Sequence, residues 1–509
     1  MTVSDSAERT PVVQPERAPT GIAGLDDILG GGLPRDRLYL VDGEPGSGKT
    51  TLALQFLLAG RDAGERCLYV TLSETAEELR AAADSHGWSL DGLSVVELSA
   101  TQAQDTDEEY TLFHPAEVEL QQTVGVVLAA AEKHEPSRLV FDSLSELRML
   151  ARDPLRFRRQ ILALKQFFVG RHCTVLVLDD RTAPEGDLQL QSIAHGVVAL
   201  EHMPMEYGAE RRRIHVRKLR GTRFRGGFHD FRIATGGLEV YPRLKQVPVL
   251  ETQDCVDLLK SGSPELDLLL GGGLPCGTSA LVTGAAGTGK SVLCMQYARA
   301  AVEAGLKARI YMFDERIATA RARAQGLGID TEEALANGDL TLRQIEPTEK
   351  SPGEFAADIV RAVEEDGVKI VVLDSINGYM QAMPNERLLT VQVHELLTYL
   401  NAHGVTMIMT LVQRGIFGAP VDDAAEVSYL ADSVILLRYF EYGGLVRQAI
   451  SVVKKRTGSH ERSVRECRVG PGGLQVGAPL TEFRGVLTGV PEFVGAEGTL
   501  MNGDSHWSR

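Results

Sequence analysis

Two lysines close glycine-rich runs whose spacing suits phosphate chemistry. Gly43-Glu44-Pro45-Gly46-Ser47-Gly48-Lys49-Thr50 and Gly284-Ala285-Ala286-Gly287-Thr288-Gly289-Lys290-Ser291 both fit GxxxxGK[ST]. In such a loop the glycines let consecutive backbone N–H groups converge on an anion. The lysine reaches the β- and γ-phosphates, and the Thr or Ser hydroxyl binds Mg²⁺. Thr51 and Val292 continue into a helix whose N-terminal dipole favours the same negative charge. ATP with Mg²⁺ is the expected pairing. One match can arise by chance in a chain with 52 glycines. Two matches, in register within a duplication and each between strand and helix, do not arise that way.

Acids stand where such a site needs them. Asp142 and Asp374 each end an apolar run and precede a serine. With Thr50 and Ser291 they form the expected Mg²⁺ set, the plain alternative being a strand-end cap. A carboxylate that polarises the attacking water should follow the strand after the P-loop helix. Glu74 in VTLSET and Asp314–Glu315 in YMFDER fit that position, and also fit the first turn of the next helix. A basic segment at Arg211–Arg223 has three readings: a nucleic-acid contact, a solvated edge strand, or Lys218 and Arg220 reaching a neighbouring subunit's γ-phosphate. The Lys218-Leu219-Arg220 spacing returns as Lys454-Lys455-Arg456 without the arginine cluster, which favours the phosphate role over DNA.

The elements that must position these groups repeat. Thr20–Phe56 and Ser261–Tyr297 match without a gap at an offset of 241 residues. RLVFDSLSEL (Arg138–Leu147) pairs with KIVVLDSINGY (Lys369–Tyr379), TVLVLDD (Thr174–Asp180) with VTMIMTL (Val405–Leu411), and HVRKLRGT (His215–Thr222) with SVVKKRTG (Ser451–Gly458). Each half alternates short β-branched runs with amphipathic stretches. That predicts an α/β fold of two tandem P-loop NTPase domains, each a mainly parallel twisted sheet flanked by helices. The expected divisions are a flexible arm at 1–18, domains at 19–246 and 247–477, and a tail at 478–509, with the boundary near Gln246–Val249.

Composition fits a globular protein: 43% of the 509 residues are hydrophobic and 24% charged. No run approaches the ~20 apolar residues of a bilayer span, so no membrane association is expected. The first residues lack a secretory pattern, and six cysteines are scattered without a CxxC pair, so a cytoplasmic protein with reduced thiols is expected. The net charge of −16 argues against a broad nucleic-acid surface.

The leader TGIAGLDDILGGGLP, the two P-loops, the strand-end acids, KLRGT and the FRGVLTG tail together resemble the KaiC family, within the wider RecA-like ATPases, over about residues 18–490. The resemblance implies two RecA-like domains that assemble with ATP into double-ring homohexamers, nucleotides lying at subunit interfaces. It implies a first domain that is the main ATPase, and, in the circadian members, a second domain with Ser/Thr autokinase and autophosphatase activity. The family's paired strand-end glutamates correspond to Ser73–Glu74 and to Asp314–Glu315 here, with Asp314 at the position of the phosphorylation base. Ser428 and Tyr429 stand where the clock proteins carry adjacent phosphoacceptors, with Glu426 just before. A tyrosine hydroxyl lies several ångströms further from the backbone than a threonine's, so Ser428 is the one candidate acceptor. His195 stands at a family Asp position and is given no role. The expected function is an ATP-hydrolysing regulatory protein. Its alternatives are an ATP-gated scaffold for a regulatory partner such as a histidine kinase, and a RecA-like DNA repair or recombination ATPase.

Overall fold

The computed structural model describes residues 15–98, 115–151, 153–181, 189–205, 208–245, 257–381, 386–413, 428–488 and 491–494. The expected boundary segment Gln246–Val249, the bulk of the arm and tail, and Glu426 lie outside them. The chain divides into two compact units, Met1–Arg243 and Leu244–Arg509.

In the first unit the strands are β1 (Leu38–Gly43), β2 (Cys67–Thr71), β3 (Ser94–Glu97), β4 (Arg138–Asp142), β5 (Thr174–Asp179), β6 (Gly196–Met203), β7 (Arg211–Leu219), β8 (His229–Ala234) and β9 (Gly237–Tyr241). They form one sheet in the order β9-β8-β7-β6-β1-β5-β4-β2-β3. The six strands from β6 to β3 are parallel, and β7 to β9 extend the sheet antiparallel. The central strands β1, β2, β4 and β5 are buried at every residue, because helices cover both faces of a parallel sheet. Their unbroken apolar runs meet that demand.

The second unit repeats the plan with β10 (Ser279–Gly284), β11 (Lys307–Met312), β12 (Leu340–Gln344), β13 (Val368–Asp374), β14 (Thr406–Val412), β15 (Ser433–Tyr442), β16 (Leu445–Lys455), β17 (Arg465–Gly470) and β18 (Gly473–Pro479). Their order, β12-β11-β13-β14-β10-β15-β16-β17-β18, is the first sheet's read from the other edge. Past the sheet, Phe483–Arg484 pairs with Glu492–Phe493, and Phe483 and Phe493 stack around Tyr442.

Register corrects one sequence pairing. Asp42 pairs with Asp179, and its counterpart Thr283 pairs with Leu411. Thr174–Asp180 therefore corresponds to Thr406–Val412, one residue later than the apolar pattern alone indicated. The slip changes which residue answers Asp180: it is Val412, not Leu411.

The leaders share one constraint. Gly32 and Gly273 have φ of 114° and 135°, and a Cβ on either would lie 2.4 or 2.6 Å from the carbonyl oxygen of Ala18 or Leu259. Those carbonyls belong to two-residue strands, Arg17–Ala18 and Leu258–Leu259, that pair back onto Leu33–Pro34 and Leu274–Pro275.

Candidate nucleotide sites

Each P-loop leaves the carboxyl end of a central strand. A Cβ on Gly284 would lie 2.3 Å from the Leu437 carbonyl oxygen, and one on Gly43 would lie 2.9 Å from that of Leu200 and 2.5 Å from Ser47 Oγ. Only glycine fits where the loop turns past its neighbour strand. Gly48 and Gly289, at φ 100° and 95°, then start the helices Lys49–Asp62 and Lys290–Glu303. Lys49 Nζ donates to the carbonyls of Gly43 and Glu44, both at 2.9 Å. Lys290 Nζ donates to those of Gly284 and Ala285 at 2.9 and 2.7 Å. Each ammonium is thus buried inside its own loop. Burial pushes the Lys290 ammonium down to about 8, against the pull of Asp374.

The expected metal sets differ between the units. Thr50 Oγ1 lies 3.4 Å from Asp142 Oδ2, and Tyr69 donates to the same oxygen at 2.6 Å. Burial raises the Asp142 carboxyl, the Tyr69 hydrogen bond opposing it. Asp374 instead accepts from Thr410 at 2.5 Å, and Ile310 stands where the first unit has Tyr69. Each set offers one carboxylate and one hydroxyl. Among the described residues no group of three or more His, Cys, Asp or Glu could hold a metal ion. All-oxygen, incomplete sets of this kind suit Mg²⁺, which takes one or two protein ligands together with phosphate and water oxygens.

The candidate acids are held differently. The Glu74 backbone is fixed by Thr71, whose hydroxyl accepts from the Glu74 N–H at 2.9 Å and donates to its carbonyl at 2.8 Å. The next helix, Ala76–Ser85, is capped by Thr75 and Glu78, so Glu74 is not spent on the cap. Burial raises the Glu74 carboxyl, and Asp142, Glu78 and Asp180 add to it. Glu315 is paired with Arg323, and Asp314 accepts from the Ser375 hydroxyl at 2.7 Å.

Sequence reasoning passed over Asp180. It sits just past β5, 2.8 Å from Lys49 Nζ, and accepts from Ser145 at 2.8 Å. Burial opposes its ionisation, but Lys49 and Ser145 outweigh burial and lower the carboxyl below its ordinary range. Its neighbours are also paired: Asp179 with Arg148 at 2.7 Å, and Arg181 with Asp42 at 2.7 Å, Asp42 also meeting Arg217 at 3.1 Å. Counting along the paired strands, and for Arg148 onward from Asp142 and Asp374, the second unit has Thr283, Met380, Leu411, Val412, Gln413 and Val453 at the positions of Asp42, Arg148, Asp179, Asp180, Arg181 and Arg217. The signal was present in TVLVLDD, an apolar run ending in acid like RLVFD, and either register sets an apolar residue, Leu411 or Val412, against Asp180.

Lys218 and Arg220 lie at the other end of the sheet. Lys218 pairs with Val197, at the amino end of β6, whereas the P-loop leaves the carboxyl end of β1. The strand from Leu40 to Gly43 between them spans roughly 10 Å, and both side chains turn away from the loop. These groups therefore cannot serve their own P-loop. Lys218 Nζ donates to the carbonyls of Gln191 and Ala194 at 2.5 and 2.8 Å, and Arg220 to that of Ser192 at 3.0 Å. Lys454 and Arg456 repeat this on Ser428, Ala431 and Tyr429, at 3.0, 2.7 and 2.7 Å. Lys455, where the first unit has the buried Leu219, donates to the Leu270 carbonyl at 2.5 Å. Ser428 thus lies at the end of the sheet opposite its own P-loop, beside exposed Tyr429. In the arginine cluster, Arg212 pairs with Glu210 at 2.5 Å and Arg213 with Glu201 at 3.5 Å. His195 packs edge-on against Tyr39.

Among the described residues no helix is long and apolar enough to cross a membrane. A family model described as "ATPase: KaiC" matches twice, over residues 18–245 and 259–481. The chain is 27% identical over 493 residues to the circadian clock protein KaiC3 of Synechocystis sp., covering 94% of this chain and 95% of that one. It is 26% identical over 485 residues to the circadian clock oscillator protein KaiC of Thermostichus vulcanus (94% and 92% covered) and 26% over 497 to that of Prochlorococcus marinus (96% and 98%). With both RecA-like sheets, both P-loops and both matched repeats in place, this chain belongs to the KaiC family of ATPases.

Proposed function

We propose that this chain is an ATP-binding regulatory protein that hydrolyses Mg·ATP mainly in its first domain. The observation that supports this is the convergence of Lys49, Thr50 and Asp142 beside Glu74, a raised, half-buried carboxylate not spent on capping its helix. In this reading residues 43–51 cradle the phosphates, and 284–292 do so in the second domain. Glu74 accepts a proton from the attacking water as its oxygen bonds to the γ-phosphorus and the bond to the β–γ bridging oxygen breaks, giving ADP and phosphate. Thr50 and Asp142, or Ser291 and Asp374, hold Mg²⁺, which would offset phosphate charge. Lys218 and Arg220, and Lys454 and Arg456, are too far from their own loops and serve a neighbouring subunit, which makes an ATP-dependent homohexamer the working unit. Arg212 and Arg213 are matched by acids, which weighs against DNA. A cytoplasmic site of action fits the sequence.

For the second domain, transfer to Ser428 is one reading. An ATP-gated scaffold for a regulatory partner is the other, and it is favoured by the pairing of Glu315 with Arg323 and of Asp314 with Ser375, which leaves each acid engaged. The test is ATP hydrolysis and particle size with Mg²⁺ or with EDTA, followed by phosphopeptide mass spectrometry. Mg²⁺-dependent turnover and ATP-dependent assembly are expected, with no phosphate on Ser428. Absence of turnover would overturn the ATPase reading, and phosphate on Ser428 would restore the kinase.

A further inference from the structure

We infer that Asp180 is a built-in counter-ion that a nucleotide phosphate must displace from Lys49, so that the first site binds nucleotide less tightly than its P-loop alone would. This rests on the reading of the P-loops as nucleotide sites. An ammonium has three N–H donors and no more. At Lys49 the Gly43 carbonyl, the Glu44 carbonyl and the Asp180 carboxylate take all three, at 2.9, 2.9 and 2.8 Å. At Lys290 the carbonyls of Gly284 and Ala285 take two, and the third has no partner among the described residues. A phosphate oxygen therefore finds an open donor in the second site and an occupied one in the first.

Asp180 is also built to stay. Ser145 holds its other oxygen, and the main chain on either side is anchored by the pairs Asp179–Arg148 and Arg181–Asp42. The carboxylate can yield only by turning its side chain, not by drifting with the strand end. In the second domain Val412 holds this position and the flanking pairs are absent, with Leu411, Met380, Gln413 and Thr283 in their places. The arrangement is a property of one domain rather than of the shared fold.

The test uses the full-length Lys290→Ala chain, which leaves one nucleotide site, titrated calorimetrically with Mg·ADP and a non-hydrolysable ATP analogue. Asp180→Asn keeps an acceptor for Ser145 but removes the charge, and Asp180→Val copies the second domain. Each is expected to tighten binding about tenfold, the triphosphate gaining more than the diphosphate. The converse change, Val412→Asp in a Lys49→Ala chain, is expected to weaken the second site. Should Asp180→Val fail to fold, Asp180→Asn and Val412→Asp carry the test. Unchanged or weaker binding in Asp180→Asn overturns the counter-ion and makes Asp180 a helper of the bound phosphate. If the Lys290→Ala parent binds no nucleotide, or binds as well with Lys49→Ala added, the nucleotide-site reading itself fails.

Discussion

The two P-loops have one backbone and two electrostatic settings. Around Lys49 the strand ends carry Asp42, Asp142, Asp179 and Asp180, each paired or hydrogen-bonded, with Arg148, Arg181 and Arg217 threaded between them. Around Lys290 only Asp374 remains of these acids, and the threading positions hold Met380, Gln413 and Val453. Main-chain geometry survived the duplication because glycine positions and buried strands tolerate few replacements. The charged lining diverged because a paired acid and base at a strand end can be exchanged together for uncharged residues at little cost to stability.

The largest break in the comparison should come from the strand-end acids. Glu74→Gln is expected to lower ATP turnover by roughly 10²-fold or more, the usual size of a lost general base. Glu315→Gln, which loses only its partner Arg323, should leave turnover within about twofold. Steady-state phosphate release from the two variants decides between them, and a larger loss in Glu315→Gln would move hydrolysis to the second domain.

Next in size is a stability contrast. Fully buried Arg138 meets Glu65 at 2.8 Å, with Arg35 at 2.7 Å; Leu306 and Ile370 stand in the second domain. Burial works against the Glu65 charge, but Arg138 and Arg35 outweigh it and hold the carboxyl at about 2 against an ordinary 4.5. A folded value below the unfolded one means stabilisation that is complete above about pH 4.5 and is lost as pH falls toward 2. Hydrogen exchange should show the first domain loosening over that window before the second does. Glu65→Gln should remove this acid step and cost the first domain about 3 kcal/mol, because the buried Arg138 charge loses its carboxylate and keeps only the Pro19 and Phe56 carbonyls. Equal acid sensitivity of both domains would contradict it.

The smallest effect is assigned to Tyr69. Tyr69→Phe removes one hydrogen bond to Asp142 of 2.6 Å, worth about 1 kcal/mol, and should raise the Mg²⁺ concentration needed for half-maximal turnover about fivefold. An Ile310→Tyr chain should show no matching gain, since Asp374 already accepts from Thr410. A null result in Tyr69→Phe would remove Tyr69 from the metal site.

Much of this was legible in the sequence, and the exceptions share a cause. The fold was readable because each central strand is an unbroken apolar run and each P-loop is spelled out in contiguous residues. Asp142 and Glu74 were readable by position, one at a strand end and the other one turn beyond. Asp180 was not, because its meaning lies in contacts with Lys49 and Ser145, groups distant in the chain that meet it only when the strand ends converge. The pairing of Arg181 and Arg217 with Asp42 joins groups 139 and 175 residues apart, a distance that no local pattern spans. Lys218 and Lys454 were legible as a repeated spacing. Their grip on the carbonyls before β6 and β15 emerged only from the folded chain.

If the two sites hold separate jobs, the two P-loop lysines must differ in what their loss removes. Steady-state ATP hydrolysis and particle size should be measured for Lys49→Ala and Lys290→Ala side by side. Loss of roughly 10²-fold in turnover together with loss of assembly is expected in Lys49→Ala, while Lys290→Ala keeps most turnover. Near-complete loss of turnover in Lys290→Ala, with Lys49→Ala still active, would contradict that separation of jobs.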